Sequence, residues 1–79
     1  MSELDARLSA LFRAAFTGLN EQNVRQATRD SVAKWDSIAA VTLLTLMEEE
    51  FGEQFDLEEA AEWTSYAQIR EMLEKRLHG

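Results

Sequence analysis

Few side chains in this sequence have the chemistry and the placement for a covalent reaction, and the clearest is the hydroxyl of Ser37 in Asp36-Ser37-Ile38. The apolar stretch after it runs to Met47 and closes on Glu48-Glu49-Glu50-Phe51-Gly52. With Asp36 as N-cap, Ser37 is the first helical residue, where unpaired amides and the helix dipole favour an attached phosphate by roughly 0.3–1 kcal/mol. Its hydroxyl then projects at the end of a helix, within reach of a modifying enzyme. The competing reading is structural. Asp before Ser opens many helices because the carboxylate accepts orphan amide protons, worth about 1 kcal/mol. A serine nucleophile with its own base is poorly served. The one histidine, His78, is next to last in the sequence, and no role is assigned to it.

The elements that must position Ser37 follow from periodicity. Leu4, Leu8, Leu11, Phe12, Ala15, Phe16 and Leu19 share one arc of a first helix, with Ser2 as its N-cap and Gly18 or Asn20 as its end. Residues 20–35 show no clean period. They read as a long loop with one turn near Glu21–Gln26, pinned by Val24, Val32 and Trp35. The second helix starts at Ser37 and carries Ala40, Leu43, Leu44, Met47 and Phe51 at core-facing spacing, with Gly52 suited to the left-handed position after it. Asp56 and Glu59 form a capping-box pattern for a short third helix through about Glu62. Ser65 and Gln68 form another for a last helix whose Tyr66, Ile69, Met72, Leu73 and Leu77 share a face. Lys75 and Arg76 near its end complement the dipole. The expectation is an all-α fold of four helices, the third short, in one domain over residues 1–79.

Composition narrows the function. The 79 residues include no cysteine, which excludes disulfides and thiolate metal sites. No basic stretch followed by an apolar run suggests an export signal, and no apolar run nears the roughly 20 residues of a membrane span, so a soluble, cytoplasmic protein is expected. Net charge is −7, unevenly spread: residues 36–62 hold nine acids and no base. Such a surface repels nucleic acid and anionic lipid and attracts basic protein patches. Glutamate also serves simply to favour helix and keep a small domain dissolved.

Taken together, Asp36-Ser37-Ile38, the apolar spacing through Val41, Leu44 and Met47, and the Glu48–Gly52 ending resemble the acyl carrier protein family. Phe55-Asp56-Leu57-Glu58-Glu59 is similar to the start of that family's third helix, and Trp63-Thr64-Ser65-Tyr66 to the approach to its last. The likeness spans residues 36–77 in register. It implies a four-helix bundle, no catalytic group of its own and no resident metal. It also implies Ser37 as the attachment point for 4′-phosphopantetheine from coenzyme A, delivered by a magnesium-dependent phosphopantetheinyl transferase that reads Asp36. The arm's thiol would carry acyl groups as thioesters between enzymes of fatty acid, polyketide or related biosynthesis.

The sequence departs from that pattern beside the serine. Where the family often has acids, this chain has Ala39 and Thr42, so the strip of Ile38, Ala39, Thr42 and Leu46 is neutral to apolar and charge begins at Glu48 and Glu49. Those six residues are the expected partner-facing set. They favour a specialised carrier over a housekeeping one, a monomer served by an acyl or aminoacyl ligase, acyltransferase or synthase with a basic and apolar docking patch. An aminoacyl or peptidyl carrier fed by an adenylating ligase is the alternative. From another class, an unmodified helical adaptor competes. Trp35 reads as a loop anchor, and Met47, Phe55 and Trp63 as core or the lining of an acyl cavity.

Overall fold

A computed structural model describes residues 3–32 and 34–78. Among these are four α-helices: α1 (Glu3–Ala15), α2 (Ser37–Phe51), α3 (Leu57–Glu62) and α4 (Tyr66–His78), with a 3-10 turn at Val24–Gln26. The all-α expectation holds. The Ser2 cap and the His78 side chain lie outside the described residues.

Helix α1 is the hub. Leu8 and Phe12 are buried along its inner face, Phe16 just past its end, and α2, α4 and the 3-10 turn all pack on it. Its regular part stops at Ala15, earlier than the apolar spacing predicts. The Phe16 amide still bonds to the Phe12 carbonyl at 2.9 Å, and then Gly18 (φ 98°) turns the chain, so Leu19 reaches the core from the loop. Spacing alone extends a helix through residues whose side chains point correctly while the backbone has already left.

The loop is held by short-range polar locks. Asn20 Oδ1 accepts from the Gln22 and Asn23 amides at 2.8 and 3.0 Å, and Asn23 Oδ1 accepts from the Asn20 amide at 2.8 Å. This reciprocal pair sets up the 3-10 turn, inside the Glu21–Gln26 window where a turn was expected, and buries Val24. Farther on, the loop is strapped to the start of α4. Arg29 N donates to Thr64 O (2.8 Å) and Tyr66 N to Ala27 O (3.0 Å) around a Thr28–Ser65 bridge. That strap changes the second capping box. Ser65 Oγ accepts from Gln68 N (3.0 Å) as predicted, but Gln68 Oε1 returns to Thr64 N (2.6 Å), one residue before its expected target.

The core is aromatic at its centre. Trp35 meets Phe12 edge-on at 5.5 Å and Phe16 at 5.4 Å, and Tyr66 meets Phe12 edge-on at 5.1 Å. Leu43, Met47, Ile69 and Leu73 complete it, each fully buried side chain contributing about 1.5–3 kcal/mol. The radius of gyration is 11.4 Å, against about 11.6 Å for a compact chain of this length. Helix α3 is peripheral. Its only helical neighbour is α2, and no Cα of α3 comes within 8 Å of one in α1 or α4.

Candidate functional site

The start of α2 is set by one side chain. Asp36 is extended (φ −110°, ψ −172°), its Oδ1 accepts from Ala39 N at 2.9 Å, and its carbonyl accepts from Ala40 N at 2.9 Å. Ser37 is therefore the first helical residue. It is exposed, and its hydroxyl has no hydrogen-bond partner among the described residues. Asp36 caps only the Ala39 amide, which leaves the Ser37 and Ile38 amides at the positive end of a 15-residue helix. This arrangement suits a serine ester of phosphate: the oxygen is accessible, the amides face outward and no base is bonded to the hydroxyl.

Behind Ser37 stands an anchor. Trp35 is buried between Phe12 and Phe16, and its amide donates to Val32 O at 3.0 Å. Its indole Nε1 is buried without a hydrogen-bond partner among the described residues. Lys34 reaches back to Thr17 Oγ1 at 3.4 Å. The last residues of the long loop are thus tied to α1 before Asp36 opens the helix.

The six expected partner-facing residues separate into two groups. Ile38 (78% exposed), Thr42 and Glu49 lie open to solvent. Ala39 and Leu46 are half-buried, with Ala39 packed against the core. Glu48 is committed internally: its Oε2 accepts from Phe55 N at 3.0 Å, tying α2 to the approach to α3. Two further apolar side chains are exposed, Val41 (44%) on α2 and Leu57 (64%) on α3. Val41 was legible, since 38, 41, 42 and 45 form a second helical stripe beside the core one. Leu57 had no such signal, being the first residue of a six-residue helix.

Thr42 and Thr45 add to the apolar character. Their hydroxyls donate to Ile38 O (3.2 Å) and Val41 O (3.0 Å), the residues four positions back. With the hydroxyls turned onto the helix, the strip beside Ser37 offers methyl groups more than donors.

Elsewhere the polar groups hold the fold. Tyr66, 1% exposed, donates its hydroxyl to Asp5 Oδ1 at 2.9 Å, and Arg70 Nε binds the same oxygen at 2.8 Å. Burial, then the Asp5 hydrogen bond and charge, push the Tyr66 phenol up to about 12, against a smaller opposing effect of Arg25 and Arg70. The Asp5 carboxylate also raises the Arg70 guanidinium above its ordinary value. Arg7 bridges α1 to Glu50 of α2 at 2.6 Å, a half-exposed pair worth no more than about 1 kcal/mol. Beside it a groove of ≈ 380 Å³, lined by Leu4, Arg7, Phe51, Arg70 and Leu77 among others, lies at the far end of α2 from Ser37. Met47, Phe55 and Trp63 are buried, and Phe55 meets Trp63 edge-on at 5.9 Å. Among the described residues no cluster of His, Asp and Glu is arranged for a metal ion, and no helix is long and apolar enough to cross a membrane. In comparisons with known proteins, no family model, no curated protein and no solved structure matches this chain.

Proposed function

We propose that this chain is an acyl carrier protein whose four helices form the carrier bundle and whose Ser37 is esterified with 4′-phosphopantetheine. The observation that carries the reading is an exposed, unbonded serine hydroxyl at the first position of a helix capped by Asp36. The group fits that position. A phosphodiester there lies beside the outward amides of Ser37 and Ile38, and no neighbouring side chain has to be displaced from the hydroxyl. When bound, the arm supplies a thiol on which acyl cargo rides as a thioester, chemistry that a chain without cysteine lacks. Asp36 fixes the helix start and offers a carboxylate to the phosphopantetheinyl transferase.

Partners are read from the surface. Ile38, Val41 and the methyls of Thr42 and Thr45 make an apolar strip on α2, with Glu49 open beyond it and Leu57 exposed on α3. A ligase, acyltransferase or synthase with an apolar docking patch rimmed by Arg or Lys suits that surface. An adenylating ligase loading an amino acid suits it equally well. The same apolar strip also favours one reading of another class, an adaptor that binds a partner through α2 and α3 and is never modified.

Intact-mass measurement after incubation with coenzyme A and a promiscuous phosphopantetheinyl transferase separates these readings. The carrier gains one pantetheine arm and the Ser37→Ala variant gains none. An unmodified wild-type chain that is natively folded by circular dichroism would leave the adaptor.

A further inference from the structure

Helix α3 has too little holding it in place through apolar contacts alone. At six residues it lies well below the length at which a helix persists by itself, roughly 12–15 residues. Ala60 is its one buried residue, and Leu57 points outward, 64% exposed. Its flanks Phe55 and Trp63 are buried, yet the backbone of the helix between them comes close to that of α2 alone among the helices. On its other side a crevice of ≈ 160 Å³ lined by Glu59, Glu62, Trp63, Gln68 and Met72 runs between α3 and α4.

One side chain crosses that gap. Arg76, on the last turn of α4, donates through Nη2 to Glu59 Oε1 at 3.0 Å and through Nη1 to the Gln54 carbonyl at 2.9 Å. Its guanidinium also lies over the Phe55 ring, 4.8 Å from the centroid. Glu59 Oε1 in turn accepts the Asp56 amide at 3.4 Å, so the carboxylate that caps α3 is the one that Arg76 holds. Among the described residues Glu59 is the only acid between Gly52 and Trp63 in an ion pair. Glu53, Asp56, Glu58 and Glu62 are in no ion pair among the described residues. Arg29 makes one further tie, to Ala61 O at 2.9 Å, at the opposite end of the helix.

We propose that α3 is a flap latched by Arg76: released from that side chain, it opens about Gly52–Asp56 and Trp63–Thr64 while the rest of the core stays folded. The geometry gives the latch an ionic character. Arg76 and Glu59 are each about one-third exposed (34% and 32%), so salt or an approaching cationic side chain competes for the pair. In a segment of nine acids and no base, cations concentrate next to the latch. Opening uncovers the flank of α2 beneath α3 and exposes Phe55, Ala60 and Trp63. The inference stands on these contacts and does not require Ser37 to be modified.

Native-state amide hydrogen exchange tests it on the full chain. In Arg76→Gln the Ala60 and Trp63 amides should exchange about tenfold faster, while those of Leu44 and Met47 in α2 and Leu73 in α4 change less than about twofold. Glu59→Gln keeps an acceptor for the Asp56 amide but loses the charge, and should show the same selectivity. Arg76→Lys should fall between Gln and wild type. Sodium chloride should accelerate α3 exchange in wild type and have little effect on it in Arg76→Gln. Uniform acceleration across α2, α3 and α4, no acceleration in α3, or an equal salt response in both chains would overturn the latch.

Discussion

The phenol of Tyr66 should titrate far from its ordinary range, and it is the one tyrosine in the sequence, so its absorbance reads that group alone. Folding buries the ring, gives the hydroxyl the Asp5 carboxylate as acceptor, and moves its pKa from 10.0 to about 12. Ionising it would place a second negative charge against Asp5. The folded chain therefore keeps the proton where the unfolded chain has lost it. This contribution to stability is complete below pH 10 and lost as pH rises to about 12. At about 1.4 kcal/mol for each pH unit, the loss approaches 3 kcal/mol, a large part of the roughly 4–12 kcal/mol expected for a domain of this size. Ultraviolet titration of the native chain should give a midpoint near 12, and urea unfolding should move to lower denaturant above pH 10. Tyr66→Phe costs about 1–2 kcal/mol at neutral pH and should flatten the alkaline decline that remains in wild type. A native-state midpoint near 10, with helical circular dichroism intact, would refute the argument, as would equal alkaline declines in the two chains.

Substitutions at four further positions test other local claims. Trp35→Phe removes the unpartnered indole N–H while keeping a ring between Phe12 and Phe16, so urea unfolding should show a change within about 1 kcal/mol, whereas Trp35→Ala should cost about 3–5 kcal/mol. Gly52→Ala places a side chain at φ 67° with nothing within 4 Å of the added carbon. The cost is conformational only, about 1 kcal/mol or roughly 4–8 °C in Tm. Thr42→Glu puts a charge on the exposed methyl strip, and should lower kcat/KM for charging by the cognate partner several-fold while leaving pantetheine attachment at Ser37 near wild type. Ala39→Asp is the weaker test, because Ala39 packs against the core and its loss would confound docking with stability.

What was legible in the sequence was what adjacent residues decide. Asp36 caps, Gly52 turns at φ 67° with its amide on Glu48 O, and the stripe through Ala40, Leu43, Leu44 and Met47 is buried, because each depends on backbone geometry within one turn. Charge pairing across the chain was not legible. Lys75 and Arg76 look alike as basic residues near a helix end. Lys75 pairs loosely with Glu71 at 3.6 Å on the surface, while Arg76 leaves its own helix to hold α3. Asp5 and Arg70 stand 65 positions apart and share no periodic pattern, yet they complete the Tyr66 site. Glu48 reads from its place in an acidic run as partner-facing, while the acceptor role of its Oε2 toward Phe55 N depends on how the chain returns after Gly52.

The proposed attachment of a large group requires Ser37 to be exposed and yet held in one place, and the long loop before it works against the second requirement. The structure meets this with Trp35. One residue before the cap, its ring is fixed between Phe12 of α1 and Phe16 just past the end of that helix, so the chain reaches Asp36 from an anchored position. The cap then sets the direction of α2, and Ser37 follows from both. A leucine would fill part of that slot but would forgo the edge contact with Phe12 and the tilted one with Phe16, such aromatic pairs being worth about 0.5–1.5 kcal/mol beyond area. Tryptophan brings the largest ring and, with it, a buried N–H without a partner among the described residues. That donor costs about 1–3 kcal/mol, against which stand the ring's burial and its contacts with Phe12 and Phe16 at the base of α2. Ser37 is presented by the core of the domain, through Trp35, and only nominally by its loop.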